Sequence, residues 1–176
     1  MTSHRSVVFA EPVRTAIGTF AGSLKEVPAP TLGSVAIGAA VKRAGLRPEE
    51  VETVVMGNVV QAGTKMNPAR QAAVHAGLPV TIPALTVNRV CGSGAQAIVS
   101  AAQEISLGHL NVAVAGGMEN MDQAPYLIAR ARWGYRMGDG ALYKGVQALA
   151  LENLLWVSIT HRVPHSVTHR YNAAQQ

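Results

Sequence analysis

Residues 84–108 read ALTVNRVCGSGAQAIVSAAQEISLG, and the fold turns on them. Residues 84–90 (ALTVNRV) are a short, largely apolar run with β-branched side chains, which predicts a strand. Residues 95–107 (AQAIVSAAQEISL) carry apolar side chains at helical spacing and are closed by Gly108, a residue suited to ending a helix. Cys91 lies between the two elements and is followed at once by Gly92-Ser93-Gly94.

The same alternation extends in both directions. Downstream, residues 111–115 (NVAVA) predict another strand, which runs into Gly116-Gly117. Upstream, residues 53–60 (TVVMGNVV) predict a strand, and Asn67-Pro68 is a helix-start signal with Asn67 as cap and Pro68 in the first turn. The helix expected over 69–75 stops at Gly77. Thr31 is the expected cap of a helix over 31–44, which Gly45 ends. A short helical turn or connector is expected at 47–50 (RPEE). Residues 6–10 (SVVFA) predict a buried strand before Glu11-Pro12, with a loop to residue 30. The order β-α-β-α-β-α-β predicts an α/β fold with a mostly parallel sheet flanked by helices. Strands this apolar suit a sheet covered on both faces. Beyond Asn120 the pattern gives way to a polar, Arg-rich stretch. Residues 149–156 are apolar enough for a helix, and the segment after them reads as a solvated tail. His161, His165 and His169 are spaced as on one helical face, but Pro164 interrupts that helix. No metal site is expected there.

With 48% hydrophobic and 14% charged residues, the 176-residue chain has the material for a core and lacks the signature of disorder. The net charge is +5 and the pI about 9.8. Nevertheless the basic residues are scattered, Lys42-Arg43 being the one adjacent pair, and aromatics are only 5%. Nucleic acid is therefore not an expected partner, whereas a phosphate-bearing ligand suits the excess positive charge. A single cysteine excludes an internal disulfide and a cysteine-based metal cluster. The N-terminal segment lacks the apolar core of a secretory signal, and no stretch of eighteen uninterrupted apolar residues occurs. A cytoplasmic protein with no membrane partner is the expectation.

Cys91 is the candidate for chemistry. The free N–H groups and dipole at a helix start favour an anion, and the thiolate is the nucleophilic form of cysteine. The same N–H groups suit the oxyanion of a thioester under attack. Gly92 and Gly94 are expected to permit a sharp turn and close approach of a substrate. On spacing alone, a buried cysteine that acts as a small hydrophobe fits equally well.

NRVCGSGAQAI resembles the nucleophile motif of the thiolase family. EPVRTAIGTFAGSL, GNVVQAGTKMNPARQAA, AGGMENMDQAPY and RWGYRMGDGALY resemble other thiolase segments in the family's order, over residues 6–143. The resemblance implies a layered αβαβα fold, of which this chain supplies the N-terminal half. Residues 1–119 would form the sheet domain and 120–143 the start of the loop domain, with 144–176 a divergent, non-homologous tail. It implies an acetyl-CoA C-acetyltransferase of fatty acid metabolism, acting on acetyl-CoA or acyl-CoA without metal or bound cofactor. Cys91 would be the acyl-accepting nucleophile, supported by Gly92 and Gly94 at the helix start. It also implies a homo-oligomer, or association with a full-length thiolase. Met118 and Met121 read as packing residues.

A complete family member adds a second half, with an activating histidine, a second cysteine and an asparagine-based oxyanion site. This sequence has no second cysteine and no Gly-His-Pro or Asn-Glu-Ala type motif. The expectation is thus a truncated or frame-shifted, impaired enzyme. Two alternatives stand beside it: a non-catalytic fragment that acts only in subunit association, and a related ketoacyl synthase-like condensing enzyme.

Overall fold

The computed structural model describes residues 6–135, 137–144 and 157–161. The elements in order are β1 (Phe9–Val13), α1 (Ala29–Arg43), β2 (Thr53–Gly57), α2 (Pro68–His75), β3 (Ala84–Val87), α3 (Ser93–Ser106), β4 (Val112–Gly117), β5 (Tyr126–Ile128), β6 (Leu142–Lys144) and β7 (Val157–His161). Short 3-10 turns lie at Pro48–Glu50, Met121–Gln123 and Ala131–Trp133. The main sheet has the order β1-β7-β4-β2-β3, and β5 and β6 form a separate hairpin. β2 pairs in parallel with β3 and with β4, while β7 is antiparallel to both β1 and β4. The expected mostly parallel α/β sheet is the one observed.

The pleat of the strands sorts the core into two layers. Val54 and Met56 of β2 and Val112 and Val114 of β4 face α1 and α2, where they pack with Leu32, Ile37, Val41, Ala69 and Ala72. The intervening residues, Val55, Ala113 and Ala115, face α3 and meet Ala97, Ala101 and Ile105. The alanines on both sides of this second layer let α3 lie close to the sheet. Ile37, Met56, Val54, Val114 and Ile105 are fully buried, each stabilising the fold by roughly 1.5–3 kcal/mol.

The helix ends follow the sequence. Gly45, Gly77 and Gly108 all have positive φ, at 66°, 84° and 81°. Each closes its helix with the paired hydrogen bonds of a Schellman motif, for example Gly45 N to Lys42 O and Leu46 N to Val41 O, both 3.1 Å. Asn67 caps α2, its side chain accepting from Arg70 N at 3.1 Å. α1, however, starts before Thr31. Pro28 is its cap, with no side-chain cap bond, and Pro30 sits in the first turn, where its missing N–H costs nothing.

Three further differences concern strands. The predicted buried strand over 6–10 is instead β1, which lies at the edge of the sheet with Phe9 exposed. It continues through Glu11 and Pro12 by way of a bulge, Glu11 having φ 51°. An edge is where a strand tolerates proline, which has no N–H to give to a ladder. β2 and β3 stop at Gly57 and Val87, short of the predicted 60 and 90, because the chain turns there. Finally, residues 157–161, read as solvated tail or its approach, form β7 inside the sheet. The run Val157-Ser158-Ile159-Thr160 has strong strand propensity, and it satisfies backbone groups of both β1 and β4. The helix predicted over 149–156 lies outside the described residues.

The most restrictive contact is at Gly57. A Cβ there would lie 2.4 Å from Ser93 C and 2.6 Å from Gly94 N. These are backbone atoms and cannot rotate away. Gly57→Ala is expected to destabilise the fold by about 1–3 kcal/mol in urea denaturation. Gly94→Ala is the contrast, since its Cβ would meet nothing nearer than 3.6 Å and alanine favours a helix. It should change stability by less than about 1 kcal/mol.

Candidate active site at the ends of the parallel strands

The register aligns Gly57 with both Val87 and Gly117, so β2, β3 and β4 end side by side. The residues that follow therefore emerge on one rim: Asn58 from β2, Asn88 from β3, and Met118 and Glu119 from β4. This is the edge of an open α/β sheet at which ligands bind. Cys91 lies on it, exposed, between β3 and α3.

The turn that carries Cys91 is built by side chains. Val90 has φ 51°, an outlier for a β-branched residue. Its N–H donates to Asn88 Oδ1 at 3.0 Å. Its carbonyl accepts from Ser93 N at 3.0 Å and from Ser93 Oγ at 2.6 Å. Ser93 Oγ also accepts from Arg89 N at 2.8 Å, and Ser93 is buried. Gly92, by contrast, caps α3 at φ −86°, and Gly94 lies within the helix. The left-handed turn thus falls at Val90 and not at either glycine, because Asn88 and Ser93 hold the polar groups of Val90. α3 starts without a side-chain cap, and of its first-turn N–H groups that of Ser93 is taken by Val90 O. Among the described residues, no titratable side chain is hydrogen-bonded to Cys91.

Behind the turn, Glu119 clamps the segment after β2. One carboxyl oxygen accepts from Val59 N at 2.7 Å and the other from Asn58 Nδ2 at 3.0 Å, while Val60 N lies 3.3 Å from both. Asn58 is 1% exposed. It also donates from Nδ2 to Met118 O at 3.1 Å and from its backbone N to Val87 O at 3.1 Å. Burial raises the pKa of Glu119 above its ordinary 4.5, and the hydrogen bonds from Val59, Val60, Asn58 and Asn120 oppose the rise without cancelling it. Next along the chain, Asn120 Nδ2 donates to the carbonyls of Leu24, Lys25 and Val27, at 3.2, 3.2 and 2.7 Å. This fastens the loop before α1 to the end of β4. Met118 is buried against Gly33, in the packing role expected of it. Met121 begins the 3-10 turn beyond Asn120.

Sequence reading placed Cys91 between a strand and a helix, as observed, but did not single out Asn58, Asn88, Ser93 and Glu119. The available signal was a polar residue directly after each apolar run, where a buried strand delivers its next side chain to the rim. His161 ends β7, opposite Val112, and His165 and His169 lie outside the described residues. No cluster of metal-ligating side chains occurs among the described residues, and no helix among them is long and apolar enough to cross a membrane.

A sheet of this order, with a cysteine at the strand-to-helix turn, defines a class of layered α/β proteins. The chain matches the family described as thiolase, N-terminal domain, over residues 7–172. An acetyl-CoA acetyltransferase of Cupriavidus necator is 53% identical over 136 residues, covering 77% of this chain and 35% of that protein. A probable acetyl-CoA acyltransferase of Staphylococcus aureus is 48% identical over 145 residues, covering 80% and 37%. The crystal structure of the Bacillus anthracis acetyl-CoA acetyltransferase is similar with a TM-score of 0.78 at 42% identity, over 82% of this chain and 36% of that one. The chain belongs to the thiolase family and corresponds to its N-terminal half. It spans about a third of the length of the curated relatives it matches.

The clamp has a pH signature. The folded state holds the Glu119 proton more tightly than the unfolded chain does. Its contribution to stability is therefore full below 4.5 and is lost as pH rises through the higher folded value. Glu119→Gln cannot titrate, so this part of the stability-against-pH curve should flatten when thermal unfolding is followed across that range.

Proposed function

We propose that the chain carries the acyl-accepting site of a thiolase-type acetyl-CoA acetyltransferase, with Cys91 as nucleophile. The observation that carries this is the exposed Cys91 at the start of α3, in a chain 53% identical to an acetyl-CoA acetyltransferase. Cys91 Sγ attacks the thioester carbonyl of acetyl-CoA or a longer acyl-CoA. A carbon–sulfur bond forms to Cys91, the bond to the coenzyme A sulfur breaks, and the thiol proton leaves with coenzyme A. The N–H groups in the first turn of α3 stabilise the negative charge that develops on the carbonyl oxygen. Gly94 contributes there through its backbone, and Gly92 by leaving the approach to Cys91 unobstructed.

The acylation half-reaction is the part that this chain's own residues support. It needs no metal or resident cofactor, since the thioester supplies the reactive group and coenzyme A is part of the substrate. A reducing compartment such as the cytoplasm keeps Cys91 a free thiol. The reading includes assembly with further copies or with a longer thiolase. Favouring this, the edge strand β3 leaves Leu85 51% exposed, and Trp133 and Met137 near the β5–β6 hairpin are 83% and 97% exposed. The names of the relatives favour a coenzyme A thioester over the carrier-protein thioester of a ketoacyl synthase.

Incubation with acetyl-CoA followed by intact-mass measurement tests the central claim. The wild-type chain is expected to gain one acetyl group, and Cys91→Ala none. A folded wild-type chain that stays unmodified would sink the nucleophile assignment. Sedimentation should show a species larger than the monomer, and a strictly monomeric chain would remove the assembly part.

A further inference from the structure

The strain at Val90 is held from outside the turn. A β-branched residue in the left-handed region costs about 1–3 kcal/mol and persists only where its surroundings over-determine it. Ser93 fixes the carbonyl side of Val90 from within the helix start. The amide side depends on Asn88, whose Oδ1 accepts from Val90 N at 3.0 Å. Asn88 is in turn anchored, its Nδ2 donating to Val59 O at 3.1 Å. Val59 itself is fixed through its N–H, which donates to Glu119 at 2.7 Å. A continuous series of hydrogen bonds thus links the ends of β4, β2 and β3 to the residue that precedes Cys91.

We propose that Asn88 is a positioning residue for Cys91: spanning Val59 O and Val90 N, it holds Val90 in the left-handed conformation that sets Cys91 at the start of α3. This rests on the nucleophile reading of Cys91. The two hydrogen bonds of Asn88 use both functions of its amide, one as donor and one as acceptor. Aspartate keeps only the acceptor, and alanine keeps neither. Without the anchor, Val90 relaxes toward negative φ, which swings the Cα of Cys91 away from the first-turn N–H groups. The thiol stays accessible but is no longer aligned with a bound carbonyl.

The test compares two reactions of the same thiol. Acetyl transfer from acetyl-CoA needs the aligned geometry, whereas alkylation by iodoacetamide needs only an accessible thiolate. Asn88→Ala is expected to slow acetylation by about a hundredfold, the scale of a misplacement near 1 Å. Alkylation, measured at a pH high enough that the thiol is fully ionised in every variant, should change by no more than about twofold, since it then follows access alone. Asn88→Asp should fall between Asn88→Ala and the wild type. Adding Val90→Gly to Asn88→Ala should recover most of the acetylation rate, because glycine takes a positive φ without strain. A general loss of structure would not be rescued this way. Acetylation unchanged in Asn88→Ala, or no recovery in the double variant while circular dichroism shows it folded, would overturn the inference and leave the role of Cys91 standing. A folded wild-type chain that is alkylated but never acetylated would instead remove the nucleophile reading, and this inference with it.

Discussion

The backbone of β2 touches the backbone of α3 at Gly57, and no side chain fits between them. Everything on the rim follows from this contact. It seats the first turn of α3 over the ends of β2 and β4, and the exposed cysteine that precedes the helix is carried with it. The alanines of α3 and β4 serve the same end, because larger side chains in that layer would lift the helix from the sheet. The site is therefore held by main-chain geometry and by small residues behind it. That suits chemistry in which positioned N–H groups do much of the stabilisation.

Around this contact the polar residues form a second framework. Asn58, Asn88, Glu119 and Asn120 each follow a strand and each bond to backbone groups of a neighbouring segment. Loops at the end of a sheet are otherwise the most mobile parts of such a fold. Here side chains replace the missing ladder hydrogen bonds, and the rim becomes an extension of the sheet. Glu119 is the most demanding member, since its partial burial works against the charge that best accepts the N–H groups of Val59, Val60, Asn58 and Asn120.

Much of the fold was legible because it rests on local rules. Gly45, Gly77 and Gly108 mark helix ends because a Schellman turn needs a positive φ, and Asn67-Pro68 marks a start because the cap and first turn require just those residue types. The place of Cys91 between a strand and a helix was legible for the same reason. What the sequence concealed depends on distant partners. No local propensity puts a valine in the left-handed region; Val90 is held there by Ser93 and by Asn88, which is itself anchored 29 residues away at Val59. Glu119 has its meaning only once the register of β2 against β4 brings Val59 and Val60 to it. The run at 157–161 carries a strand's propensity but no sign of which neighbours it joins.

That last strand has a consequence for biosynthesis. β3, β2 and β4 can assemble as soon as residue 117 has been made, but Phe9 pairs with Thr160, from the far end of the chain. At a synthesis rate of about 5–20 residues per second, the nascent chain spends on the order of several seconds with β1 unpaired and one side of β4 open. Closing the sheet over so large a sequence separation is slow compared with forming its helices. During that interval, exposed strand edges invite pairing with other chains.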